Sequence, residues 1–153
     1  DNVWFTLLTM NTHPLHFDNH YCSFTEFGKP LVNSAFTLSV VAGMSVSDTS
    51  QKAIANLGWG NISLPAPVFI GDTIYAESEV LGKRESKSRP TAGIVTVRTS
   101  GRKADGTLFM QFERSADGGR WTVDRSQSTV HRPLSTETRS EAWRAKSCSR
   151  SWE

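Results

Sequence analysis

LVNSAFTLSVVAGMSV, Leu31–Val46, is the longest apolar stretch of the chain. It is entered through Pro30 and interspersed with small residues: Ser34, Ala35, Ser39, Ala42 and Gly43. Its length and the lack of strict alternation predict a helix, and its small side chains suit close packing against something flat. Beyond Asp48–Lys52 the apolar period changes to two. Ala53–Leu64 alternates weakly and carries Gly58 and Gly60, which suggest a bent strand. Thr73–Arg84 alternates Ile74, Ala76 and Val80 with charged partners, and Gly93–Ser100 and Thr107–Arg114 read as two more strands. Ala104-Asp105-Gly106 is hairpin chemistry between them. One long buried helix followed by meandering strands predicts an α+β domain, with an antiparallel sheet wrapped around a long central helix.

Upstream of that helix lies the chain's densest group of proton-handling side chains, Asn11-Thr12-His13-Pro14-Leu15-His16-Phe17-Asp18. Pro14 forces the backbone out of helix there. Asp1–Met10 before it reads as a helix, with Val3, Leu7 and Met10 near one apolar face. His20–Phe27 after it reads as a short helix ended by Gly28.

Composition narrows the classes. The chain has 153 residues, enough for one core, and a net charge of +2 with both signs interspersed. That pattern carries no nucleic-acid footprint, and no apolar run is long enough for a membrane span. Cys22 and Cys148 form neither a disulfide framework nor a metal spacing, so no metal site is expected and both read as free thiols in a reducing, cytoplasmic setting. The patterning stops at Ser115. Residues 1–114 form the expected domain, while 115–153 hold Val123, Val130 and Leu134 as their aliphatics yet three of the five tryptophans. Such a segment buries too little to offset its ordering entropy and is expected to be a disordered tail, or an aberrant, out-of-frame stretch.

The order of these motifs carries a resemblance. An xHPLHxD turn (Thr12–Asp18) is followed by FGKPLV (Phe27–Val32), a small-residue helix, PAPVFIGDTI (Pro65–Ile74) and RESKSRP (Arg84–Pro90). This order resembles the MaoC-type hotdog dehydratases, which are acyl-thioester hydratases. The wording LLTMN (Leu7–Asn11) with Pro14-Leu15-His16 and Arg84–Pro90 is similar to the branch that hydrates mesaconyl-CoA or itaconyl-CoA. The resemblance covers residues 1–114 and implies the hotdog fold, with the family's opening strand missing ahead of Asp1.

It also implies a site. The family's catalytic His matches His16, and its catalytic Asp position is occupied by Asn11. The helix-start pair that offers a backbone N–H to the thioester oxygen matches Asn33-Ser34. Hydration of an enoyl thioester needs a group that moves a proton near neutral pH, which histidine does, and N–H donors for the developing enolate oxygen. The plain reading of His16 is a hydrogen-bonded structural histidine. The functional reading of Asn11 is a catalytic partner whose carboxamide holds the water while His16 does the basic work, and its plain reading is a helix C-terminal residue tolerating left-handed geometry. His13 reads as structural, Asp18 as a cap for local backbone and His20 as surface. Lys83, Arg84, Lys87 and Arg89 concentrate positive charge, and Arg84, Lys87 and Arg89 are the candidates for the coenzyme A phosphates, against a plain solvated loop.

The expected partner is an acyl-CoA thioester, with coenzyme A entering as part of the substrate and no further cofactor. A hotdog monomer leaves a sheet edge open, so a homodimer is expected. The leading expectation is a hydratase (hydro-lyase) acting on a short-chain enoyl-CoA. The alternatives are an acyl-CoA thioesterase of the same fold and a weakened acyl-CoA-binding module.

Overall fold

A computed structural model of the chain describes residues 1–89 and 92–118 and, as backbone alone, 129–130. The elements run α1 (Asn2–Leu8), a 3-10 turn (Pro14–His16), α2 (Asn19–Ser23), α3 (Ser34–Thr49), β1 (Ala53–Ser63), β2 (Ile74–Glu85), β3 (Gly93–Lys103), β4 (Leu108–Gly118) and β5 (Thr129–Val130). The strands form one sheet in the order β1-β4-β3-β2-β5, antiparallel throughout. Helix α3 lies across it, so the helix-on-sheet α+β architecture expected from the patterning is present.

The helix is less enclosed than its composition suggests. It begins three residues later than the apolar stretch, because Asn33 caps it by accepting the Ala35 N–H at 2.9 Å. Its buried residues, Thr37, Val41, Ser45 and Thr49, form one stripe at a spacing of four, while Met44 and Val46 stay exposed. Leu31 and Val32 are instead extended. Leu31 bridges Phe69, and the Val32 N–H donates to Val68 O at 2.8 Å. The core joins Val41 of α3 and Val68 to Phe109, Met110 and Phe112 of β4, with Ile74 and Ala76 of β2 packed against them.

Helix α1 turns the opposite face inward from the one its apolar spacing points to. Asn2 and Thr6 are buried, whereas Val3, Leu7 and Met10 are exposed. Its end is a Schellman motif: Asn11 N–H reaches Thr6 O at 2.9 Å and Met10 N–H reaches Leu7 O at 3.0 Å. Met10, not Asn11, takes the left-handed conformation, at φ 57°.

Strand β4 runs through the 114/115 boundary read from the sequence and ends at Gly118. Gly118 is flanked by Ala53 of β1 on one side and Gly93 of β3 on the other. Ala116 and Asp117 are buried, and Ser115 hydrogen-bonds Thr96 at 2.9 Å. Small and polar side chains fill these central-strand positions, so hydrophobic patterning does not register them. Residues 119–128 and 131–153, to which most of the expected tail belongs, lie outside the described residues; the Thr129–Val130 backbone pairs with Ser78 and Glu79 on β2.

Candidate active site

The Asn11–Asp18 turn is built by local caps. Asn11 Oδ1 accepts the His13 N–H at 3.1 Å, and His13 Nδ1 accepts the Leu15 N–H at 3.1 Å, capping the 3-10 turn. Since His13 Nδ1 is an acceptor, its ring proton sits on Nε2. Asp18 Oδ1 accepts the Tyr21 N–H at 2.9 Å and caps α2. His13 and Asp18 are thus engaged in local backbone, and His20 is exposed with its ring edge against Phe24. Beneath the turn, the buried Cys22 thiol donates to Leu15 O at 3.3 Å. Burial, and then the charge of Asp18, push that thiol up from its ordinary pKa, so it serves as packing.

His16 ends the 3-10 turn facing a cleft of about 280 Å³. The walls are apolar, from Phe27, Leu31 and Val32 on one side and Leu64–Val68 and Phe109 on the other. The polar lining residues are His16, Ser34 and Thr37. His16 Nδ1 lies 3.1 Å from Leu31 O. A carbonyl can only accept, so Nδ1 carries a proton, and in the neutral imidazole the lone pair is on Nε2. That is the state a general base requires.

The helix start differs from the expectation in one atom. Asn33 is buried, and its N–H donates to Asn2 Oδ1 at 2.8 Å, so it is not available to a ligand. Its side chain caps Ala35 and donates to Thr6 Oγ1 at 3.2 Å. Among the described residues the Ser34 N–H has no acceptor. It is the first open donor of α3, at the positive end of a sixteen-residue helix and on the wall of the cleft. Thr37 adds a hydroxyl to that wall, which donates to Asn33 O at 2.9 Å.

Two further sets of candidate residues lie away from the cleft. Asn11 does not line the cleft. Its carboxamide is committed to the turn, three residues beyond the end of α1. Arg84, Lys87 and Arg89 lie at the other end of the sheet. Arg84 sits beside Ile94, eight residues along β2 from Ala76, which packs on the core near the cleft. Eight residues of strand is roughly 26 Å. Arg89 is turned toward the buried Asp117, at 3.7 Å. Charge clustering in sequence could not show which end of the sheet the cluster would reach.

Sequence reasoning missed Asn2, Thr6 and Thr37. Asn2 and Thr6 are spaced by four and buried together, a helical period visible only if polar residues are allowed an inward face. It also missed the clasp beside the cleft. Asp72 Oδ2 accepts the Phe69 N–H at 3.0 Å and lies 2.6 Å from Lys103 Nζ, while Lys29 Nζ sits 4.3 Å from the Phe69 ring centroid.

Comparison with known proteins agrees with this architecture. The family model described as "MaoC like domain" matches residues 1–102, and the chain belongs to that family. Mesaconyl-CoA hydratase of Cereibacter sphaeroides is 36% identical over 99 residues, covering 65% of this chain and 27% of that protein. The (R)-specific enoyl-CoA hydratase of Aeromonas caviae is 34% identical over 92 residues, covering 60% of this chain and 66% of that protein. The chain therefore spans about a quarter of the first relative and just under two thirds of the second. A conserved hypothetical protein of Mycobacterium tuberculosis, solved as a double hotdog fold, superposes with a TM-score of 0.64 at 26% identity, covering 76% of this chain and 36% of that one. The described residues form one hotdog unit.

Proposed function

We propose that this domain hydrates the double bond of a short-chain enoyl-CoA thioester, reversibly, with His16 as the acid/base. The observation that supports this reading is that His16, with Nδ1 engaged by Leu31 O, and Ser34, at the start of α3, line one apolar cleft. The reaction needs a base and an N–H donor. His16 Nε2 takes a proton from water as the oxygen bonds to the β-carbon. The π electrons move toward the thioester, and its oxygen gains enolate charge against the Ser34 N–H. The proton held on His16 then passes to the α-carbon, and the base is regenerated. Relatives named as mesaconyl-CoA and (R)-specific enoyl-CoA hydratases support the same class, and the first extends the reading to branched dicarboxylic acyl groups.

Among the described residues, the lining of the cleft holds no Asp or Glu. That argues against a thioesterase that activates water with a carboxylate. It favours, as the second reading, an acyl-CoA-binding module of weakened turnover, because the position at which the family carries an Asp holds Asn11. We further propose a homodimer with the acyl-CoA in or near the interface. Strand β1 is an edge strand among the described residues and exposes Ile54, Leu57, Trp59 and Ile62, a combination that a second copy would cover.

The test is a panel of crotonyl-, mesaconyl- and itaconyl-CoA, followed for loss of the enoyl chromophore and, separately, for free thiol. Chromophore loss without thiol release is the expected result. Thiol release would establish a thioesterase, and binding without either signal would establish the silent module.

A further inference from the structure

The active-site groups described above are tied to one side chain that touches none of the cleft. Asn2, on the first turn of α1, is 7% exposed. Its Nδ2 donates to His16 O at 2.8 Å and to Leu31 O at 3.3 Å, while its Oδ1 accepts the Asn33 N–H at 2.8 Å. These three contacts fall on the three segments that form the site. His16 carries the base. Leu31 O is the acceptor that holds the proton on His16 Nδ1. Asn33 is the cap whose engaged N–H leaves Ser34 as the first open donor of α3.

We infer that Asn2 is the positioning residue of this site, and the inference rests on the hydratase reading for its kinetic part. One planar amide sets both the distance of the His16 turn from Leu31 and the phase of the α3 N-terminus relative to them. A carboxamide suits this task. It offers two N–H donors on one side and a carbonyl acceptor on the other, in a fixed plane, and carries no charge to desolvate. Thr6, one turn further along α1, continues the clasp by accepting from Asn33 Nδ2. Burying Asn2 and Thr6 in place of Val3 and Leu7 gives up apolar burial on α1, and the clasp accounts for that inversion.

Asn2→Ala removes all three contacts. Asn2→Asp keeps an acceptor for the Asn33 N–H, loses the amide donors and sets a negative charge beside Leu31 O. The titratable group packed against the His16 ring is otherwise His13, with ring centroids 6.1 Å apart; Asp18, two residues on, has its Oδ1 held by the Tyr21 N–H. A carboxylate at position 2 favours the imidazolium, so the acid limb of kcat moves to higher pH.

The experiment combines two readouts on the whole chain. The first is nitrogen NMR of the labelled imidazoles, which reports the His16 tautomer without any turnover. The second is kcat and KM for enoyl-CoA hydration, with Thr99→Val, a buried change on β3 away from the cleft, as the stability control. Asn2→Ala is expected to replace the Nδ1–H signature of His16 with a tautomer mixture. It should lower kcat ten- to a hundredfold with KM within threefold, and Asn2→Asp should move the acid limb up. Thr99→Val should do none of these. A retained Nδ1–H signature in Asn2→Ala, or a kcat within threefold of the parent, overturns the inference. If the parent chain hydrates no enoyl-CoA, the hydratase reading fails and the tautomer result alone decides the role of Asn2.

Discussion

The His16 ring and the Leu31 carbonyl are joined across 3.1 Å from Nδ1 to O, a contact that brings together residues fifteen apart in sequence. Leu31 is itself held by its bridge to Phe69, and its N–H donates to Leu15 O at 3.0 Å. The imidazole is therefore anchored at one nitrogen and, among the described residues, has no hydrogen-bond partner at the other. Replacing His16 by Ala should lower the hydration rate by roughly a hundredfold or more, the usual scale for a positioned acid/base. Acyl-CoA binding should persist, since the walls of the cleft are unchanged. A folded His16→Ala variant that hydrates at the parent rate would remove His16 from the chemistry.

Gly101 lies against Phe109, a buried residue that forms part of the cleft wall. A Cβ at position 101 would meet the Phe109 ring at 2.6 Å. The ring is 1% exposed and enclosed by the core, so it can yield only by displacing its neighbours or by entering the cleft. Gly101→Ala is expected to cost about 1–3 kcal/mol by overpacking and to raise KM for the acyl substrate. Chemical denaturation with steady-state kinetics on the same preparation checks both. An unchanged stability would mean that the sheet opens at Gly101 to admit a methyl group.

The legible and hidden parts of the molecule divide on physical grounds. That His16 and Ser34 would lie close together was legible because the turn and the helix start are local and their chemistry is written in adjacent residues, and both line the cleft. The helix followed by period-two strands was legible for the same reason. Asn2 was hidden because apolar spacing on α1 points to Val3, Leu7 and Met10, the face that turns outward. The Asn33 N–H looked available because the residue that occupies it is 31 positions away. The charge of Arg84, Lys87 and Arg89 is legible in the sequence, but where they sit depends on the register of β2, which carries Arg84, and on the loop beyond Glu85. The end of β4 was hidden because Ala116 and Asp117 are buried without being large and apolar.

Arg114 is a buried cation on β4. It donates to the Ser45 and Thr49 hydroxyls of α3, and its guanidinium carbon lies 5.6 Å from the Trp59 ring centroid. No carboxylate pairs with it among the described residues, and burial pushes its pKa down. Each hydroxyl also has its own acceptor, Ser45 to Ala42 O at 2.8 Å and Thr49 to Ser45 O at 2.6 Å. A well-packed apolar side chain would therefore leave no orphaned donor behind. Arg114→Met is expected to hold stability within about 1 kcal/mol or to raise it, whereas Arg114→Ala should lose about 2–4 kcal/mol through the cavity. Denaturation midpoints of the two variants decide the matter, and equal losses would show that the charge itself stabilises the helix end.

Asp72 links the cleft to pH. Burial tends to raise its pKa, but the hydrogen bond from Lys103, then the Phe69 N–H, and the charges of Lys103 and Lys29 outweigh burial and hold the carboxyl below its usual range. A depressed native pKa means that the unfolded chain binds the proton more readily. The stabilisation from Asp72 is thus complete above its unfolded value, about pH 4, and is lost as pH falls through the lower native one. Asp72→Asn removes this dependence and loosens the loop that carries Val68 and Phe69 beside Leu31. The parent should be more stable than the variant at pH 6, with the gap closing as pH drops below about 4. Urea denaturation of both proteins across pH 3 to 7 measures the gap, and a gap that stays constant with pH would show that the Asp72 charge contributes nothing to the clasp.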